Sequence, residues 1–181
     1  MSFFSGYFET LSCKIQNIDT DMLERAVKMI KSVGHNSGKV IIAGNGAGAA
    51  IASHVCVDLT KNTSIRAVNF NEADLLTCFS NDYGYDKWVE KAIGFYADSK
   101  DLVILISSSG ASKNIINGAR KAKKMGLMVI TFSGFRSDNP LRKLGDINFW
   151  VDSKSYNIVE MTHSSWLLAI VDRLSGAKGI K

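Results

Sequence analysis

The feature that most restricts this chain is a rhythm of short, unbroken apolar runs, each leading through a loop into a helical pattern. The runs are KVIIAG (39–44), IRAVNF (65–70), DLVILIS (101–107), LMVITFSG (127–134) and INFWVD (147–152). A strand reads as a continuous apolar run when helices cover both of its faces, as in a parallel sheet. Apolar residues three and four apart mark helices at 47–61, 85–97, 112–125 and 156–174. The expected fold is α/β: a three-layer αβα sandwich on a five-stranded parallel sheet, doubly wound and flavodoxin-like. Ligands bind such sheets beyond the carboxyl ends of the strands, where the chain turns into helices.

A helical region, about 5–34, precedes the first strand as an N-terminal extension. Its second half, DMLERAVKMIKSVG, puts Met22, Leu23, Ala26, Val27, Ile30 and Val33 on one face. Asp21 with Glu24 resembles a capping box, and Gly34 reads as a stop. No repeat or linker divides the sequence, and the single proline, Pro140, falls in a loop. One domain over 1–181 is expected, with helices in 1–34 and the α/β core in 35–181.

Cys13, Cys56 and Cys78 have neither metal-ligand spacing nor an even number for disulfides. Cys56 and Cys78 stand in apolar context and read as buried thiols, which suits a reduced, cytoplasmic protein. MSFFSGYFET has no basic leader region, and no run is long enough to span a bilayer, so no membrane partner is expected. Of 22 basic and 17 acidic residues (net charge +5), the one basic cluster, ARKAKKMG at 119–126, follows helical spacing. It reads as a solvated helix face, so no nucleic-acid partner is expected, while the modest positive balance suits a small anion.

Two loops carry the chemical signal. GNGAG (44–48) has three glycines in five positions and opens a helix. Its amides can approach a ligand closely, and a helix N-terminus favours an anion or a polyhydroxy chain. It lacks the third glycine of the dinucleotide fingerprint, having Ala49 there, and has no Walker lysine. A tight strand-to-helix turn would also explain it. The second loop, in DLVILISSSGASKN, holds Ser107, Ser108, Ser109 and Ser112 around Gly110. One serine would suffice as a helix cap; four hydroxyls plus helix-terminal amides suit a phosphate, without metal or lysine.

The serine loop resembles the phosphate loop of the sugar isomerase (SIS) domain, S-[ST]-S-G-x-[ST]. GNGAGAAIASHVCVDLT resembles the G-N-G-G-S…H…E-L stretch of its phosphoheptose isomerase branch, and CFSNDYGYD (78–86) resembles that branch's N-D-[FY]-G segment. The resemblance runs from about 20 to 174. It implies a homotetramer with shared active sites, the N-terminal helices assisting assembly. It also implies phosphate held by Ser107, Ser108, Ser109 and Ser112, with Asn45 and Gly46 on the sugar chain and Asp82 near it. Gly48 stands in the binding loop where the family has a serine.

Ketose–aldose interconversion needs a base to move a proton between C1 and C2 and an acid for the oxygens. His54 and Asp58 are i and i+4 on the helix after the glycine loop and share a face. The family's histidine and catalytic glutamate fall on these two positions, the aspartate being one methylene shorter. A buried histidine hydrogen-bonded to Asp58 would also satisfy the spacing. On the last helix the resemblance places the family's glutamine and histidine at Val159 and Leu167, neither able to act. Glu160 and His163, three apart, either replace them or form an ordinary helix pair.

No cofactor is required by such chemistry. Zinc would suit His54 and Asp58, with Glu160 and His163, by ligand type, although the spacing singles out no site. The function implied is a phosphosugar isomerase, with sedoheptulose 7-phosphate giving a heptose 7-phosphate as the first expectation. The alternative is a non-catalytic SIS protein that binds a phosphosugar or docks a partner, as relatives associated with the replication initiator do.

Overall fold

The computed structural model describes residues 2–177. Two helices, α1 (Phe3–Gln16) and α2 (Thr20–His35), precede strand β1 (Val40–Gly44). Then come α3 (Ala47–Thr63), β2 (Ala67–Asn69), α4 (Ala73–Tyr83), α5 (Trp88–Tyr96) and β3 (Leu102–Ser107). The chain ends with α6 (Lys113–Lys124), β4 (Met128–Gly134), a 3-10 turn (Leu141–Lys143), β5 (Ile147–Val151) and α7 (Tyr156–Ser175). The sheet order is β2-β1-β3-β4-β5 and every pairing is parallel. That is the flavodoxin-like order, with its switch point between β1 and β3.

Strands β1 and β3, and β4 beyond Met128, are buried on both faces, and their alternate residues divide between two cores; β5 buries only the face of Ile147, Phe149 and Val151. Val40, Ile42, Ile104, Ile106 and Phe132 meet α2, α3 and α7, whereas Ile41, Ala43, Val103, Leu105 and Val129 meet α5 and α6. Full burial of each such side chain contributes roughly 1.5–3 kcal/mol, which holds the strand tips in fixed register. The αβα layering expected from the apolar runs is therefore present.

Local details differ from expectation. The first helical region breaks at Asn17–Asp19, because the Asp19 carboxylate accepts from Asp21 N (2.9 Å) and caps α2. Glu24 closes no capping box; it accepts from Arg173 Nε at 2.8 Å. Gly34 is inside α2, where a Cβ would meet Ile65 Cγ1 at 3.0 Å, so it serves close packing rather than a stop. Helix α4 was not expected, and none of its residues is buried. Cys56 is buried, and burial pushes its thiol up to about 11, but Cys78 is exposed on α4 rather than buried. Helix α1 buries none of its own residues and leaves Phe3, Phe4 and Phe8 exposed.

Candidate active site

Both signal loops leave the sheet at the switch point. After β1 the chain turns at Gly46 (φ +52°, ψ −121°), a conformation open to glycine alone. A Cβ on Gly44 would lie 2.6 Å from the Gly48 carbonyl carbon, and one on Gly48 would lie 3.2 Å from Ile106 Cγ2. Small residues therefore let the first turn of α3 lie against β3. After β3, Gly110 (φ +65°) closes the serine loop by donating to Ser107 O at 2.9 Å.

The serine hydroxyls are organised. Ser107 Oγ donates to Ser112 Oγ (3.0 Å), Ser109 Oγ accepts from Ala111 N (3.2 Å), and Ser108 Oγ donates to Glu160 Oε1 (3.0 Å). Ser112 occupies the N-cap position of α6 without capping an amide, and α3 likewise has no side-chain cap. In α3 the Gly48 and Ala49 amides donate to Asn45 O (2.9 Å) and Gly46 O (3.0 Å), so the first-turn amides of α6 are the ones left for a ligand.

An amide clasp joins the loops. Asn45 Nδ2 donates to Asn114 Oδ1 (3.0 Å) and Asn114 Nδ2 returns to Asn45 Oδ1 (2.8 Å), with Asn114 buried on the first turn of α6. Tyr85 OH also donates to Asn45 Oδ1 at 3.1 Å, which brings the 78–86 segment to the site. Between the loops lies a cavity of about 230 Å³, walled by residues 45–48, by Ile106 and the four serines, and by Tyr156 and Glu160 of α7. A larger groove, about 840 Å³, runs along the β2 edge past Cys56, Phe70 and Leu75, and contains none of the candidate site residues.

Asn45, Gly46, Gly48, Ser107, Ser108, Ser109, Ser112 and Glu160 are thus brought together. Asp82 is not: it is exposed on α4, accepting from Asn81 Nδ2 and the Cys78 thiol. His54 and Asp58 pair on α3 (Nε2 to Oδ2 3.2 Å) with side chains 59% and 26% exposed, outside the cavity. His54 is therefore no buried core histidine.

The replacement role offered for His163 on the last helix is corrected. Its ring has no exposed surface, its Nε2–H donates to Ser133 O (3.0 Å), and it packs against Phe132 and Trp166. Nδ1 has no partner, and burial pushes the pKa down to about 4, so the ring is neutral. Val159 and Leu167 fill the same core. Only the first turn of α7, through Tyr156 and Glu160, meets the cavity. The four donors suggested for zinc do not gather, and no three His, Cys, Asp or Glu side chains converge on a metal position among the described residues.

Three residues of the site were not anticipated. Asn114 is a polar break in the apolar face of α6, Tyr85 lies in the quoted 78–86 segment, and Tyr156 is one turn before Glu160.

Comparison with known proteins agrees with this geometry. The SIS domain profile matches residues 4–134. The phosphoheptose isomerase of Aliarcobacter butzleri is 31% identical over 166 residues, spanning 88% of this chain and 87% of that protein. That of Campylobacter concisus is 31% identical over 161 residues, spanning 86% and 85%. The structure of a phosphoheptose isomerase from Neisseria gonorrhoeae shares the fold with TM-score 0.86 at 24% identity, covering 94% of this chain and 96% of that one.

Proposed function

The chain belongs to the SIS domain family, and from that premise we propose that it is a phosphosugar isomerase converting sedoheptulose 7-phosphate, a ketose, into an aldose heptose 7-phosphate. The observation that carries this reading is the pair of cradles clasped by Asn45 and Asn114 around one cavity at the switch point. Ser107, Ser109, Ser112 and the α6 amides would hold the phosphate; Asn45 and the Gly46 backbone would hold the hydroxyl chain. The relatives named above carry the isomerase name, which disfavours a purely binding or docking role.

Proton transfer falls to Asp58 and His54. Asp58 takes the proton from C1 and returns it to C2, while His54 exchanges protons with the two oxygens of the cis-enediol(ate) between them. Neither faces its own chain's cavity, so both act in the cavity of a neighbouring copy. Three features support this. The His54–Asp58 pair lies at the surface. The cavity is smaller than the roughly 300–1,000 Å³ usual for ligand sites. Helix α1 presents Phe3, Phe4 and Phe8 uncovered. A homotetramer is the assembly that the family resemblance implies. Three free thiols and a phosphorylated substrate suit the cytoplasm.

Purified protein should convert sedoheptulose 7-phosphate to an aldose phosphate, and Asp58→Asn should abolish turnover with the assembly intact. Equal, background-level turnover by both proteins would overturn the proposal.

A further inference from the structure

Glu160 is a carboxylate in the wall of an anion cradle. Its Oε1 takes the Ser108 hydroxyl at 3.0 Å, a donor that the phosphate would otherwise use. Among the described residues no Lys, Arg or His lines the cavity to offset it. The attraction for a phosphate therefore comes from hydroxyls and helix-terminal amides alone, with a like charge beside them. An inorganic phosphate can offer a carboxylate only the P–OH of the charged group itself, so that bond forms against the like charge. A phosphate ester on a hydroxylated carbon chain offers donors that Glu160 can accept, and Tyr156, one helical turn earlier on the same wall, gives that chain an apolar face.

Resting on the phosphosugar reading above, we propose that Glu160 is a specificity-determining residue: its carboxylate repels free phosphate and accepts a sugar hydroxyl, so that the cradle takes only a phosphate ester whose carbon chain donates hydrogen bonds. A site built to accept from a hydroxyl set away from the charge disfavours a ligand whose hydroxyls are all on the charged group. Here the rejected ligand is the inorganic phosphate present alongside the substrate.

The test is calorimetry at one pH with two probes, inorganic phosphate and heptitol 7-phosphate, a reduced polyol phosphate that cannot isomerise. In the wild type the polyol phosphate should bind and inorganic phosphate should bind far more weakly. Glu160→Gln keeps the shape and an acceptor for Ser108. It should tighten inorganic phosphate by roughly tenfold or more, as expected when a like charge is removed, and the polyol phosphate by less, because the neutral amide is a weaker acceptor for its hydroxyl. Ser108→Ala frees Glu160 Oε1 but keeps its charge, so the rejection of inorganic phosphate should persist. An unchanged ratio of the two affinities in a folded Glu160→Gln protein overturns the role of Glu160 alone. A wild type that binds neither probe overturns the phosphosugar reading itself, and this inference with it.

Discussion

Replacing His163 with methionine should remove about 3 kcal/mol of acid sensitivity from the fold. The imidazole is fully buried, and burial lowers its pKa from 6.5 to about 4 against the opposing pull of the Ser133 carbonyl. Above pH 6.5 the ring is neutral whether the chain is folded or not, so it adds no pH dependence. Below pH 6.5 the unfolded chain binds a proton that the folded one refuses. Stability then falls by about 1.4 kcal/mol per pH unit until the folded pKa near 4 is reached. Over that window the loss is about 3 kcal/mol.

Urea unfolding at pH 7.5, 6.5, 5.5 and 4.5, at one fixed protein concentration, measures it. The wild-type curve should steepen below pH 6.5 relative to His163→Met. Asp138, held down to about 2 by Arg136, and Asp98, lowered by its hydrogen bond to Lys39, titrate alike in both proteins and cancel in the difference. Any uniform offset from losing the Ser133 bond also cancels, because it does not vary with pH. Curves parallel to within about 0.5 kcal/mol from pH 7.5 to 4.5 would refute the assignment of His163 as a neutral core residue.

Gly110→Ala should destabilise the chain by about 2–4 kcal/mol and abolish polyol phosphate binding, since its Cβ would lie 2.0 Å from Asn139 Oδ1 at φ +65°; a melting temperature within a degree of wild type would contradict this. Phe4→Glu with Phe8→Glu should split the proposed oligomer and remove turnover by separating His54 and Asp58 from the cavity in which they are proposed to act; sedimentation showing an unchanged mass would rule out assembly through α1.

The parts of the fold legible in the sequence were those that burial writes into composition. Strands β1 and β3 are apolar on both faces and β4 and β5 mostly apolar, and their runs were visible to within a residue or two. Strand β2 shrank to Ala67–Asn69 because it is an edge strand paired with β1 alone. Helix α4 left little trace: Leu75, Leu76 and Phe79 are only partly buried, so no full stripe forms. The backbone cradles were legible because glycine and clustered serine have few other uses at strand tips. The clasp was not, because Asn45 and Asn114 are 69 residues apart and only the strand order makes them neighbours. Spacing put Glu160 and His163 on one face of α7. Packing separated them, since past its first turn α7 is enclosed by α1, α2 and α3.

The charge arrangement gives a reason for the proposed separation of binding and proton transfer onto different surfaces of the chain. A base strong enough to take a carbon-bound proton would be an anion, and a second anion beside Glu160 would weaken a cradle that has no cation in its walls among the described residues. Keeping Asp58 and its histidine on the outer side of α3 leaves phosphate recognition to the dipoles of one copy. In the proposed assembly the carboxylate would meet the substrate from across an interface, at the carbon end rather than the phosphate end. Such a division would tie turnover to assembly without tying binding to it, so the proposal expects a lone chain to bind a phosphate ester and only an assembled one to isomerise it.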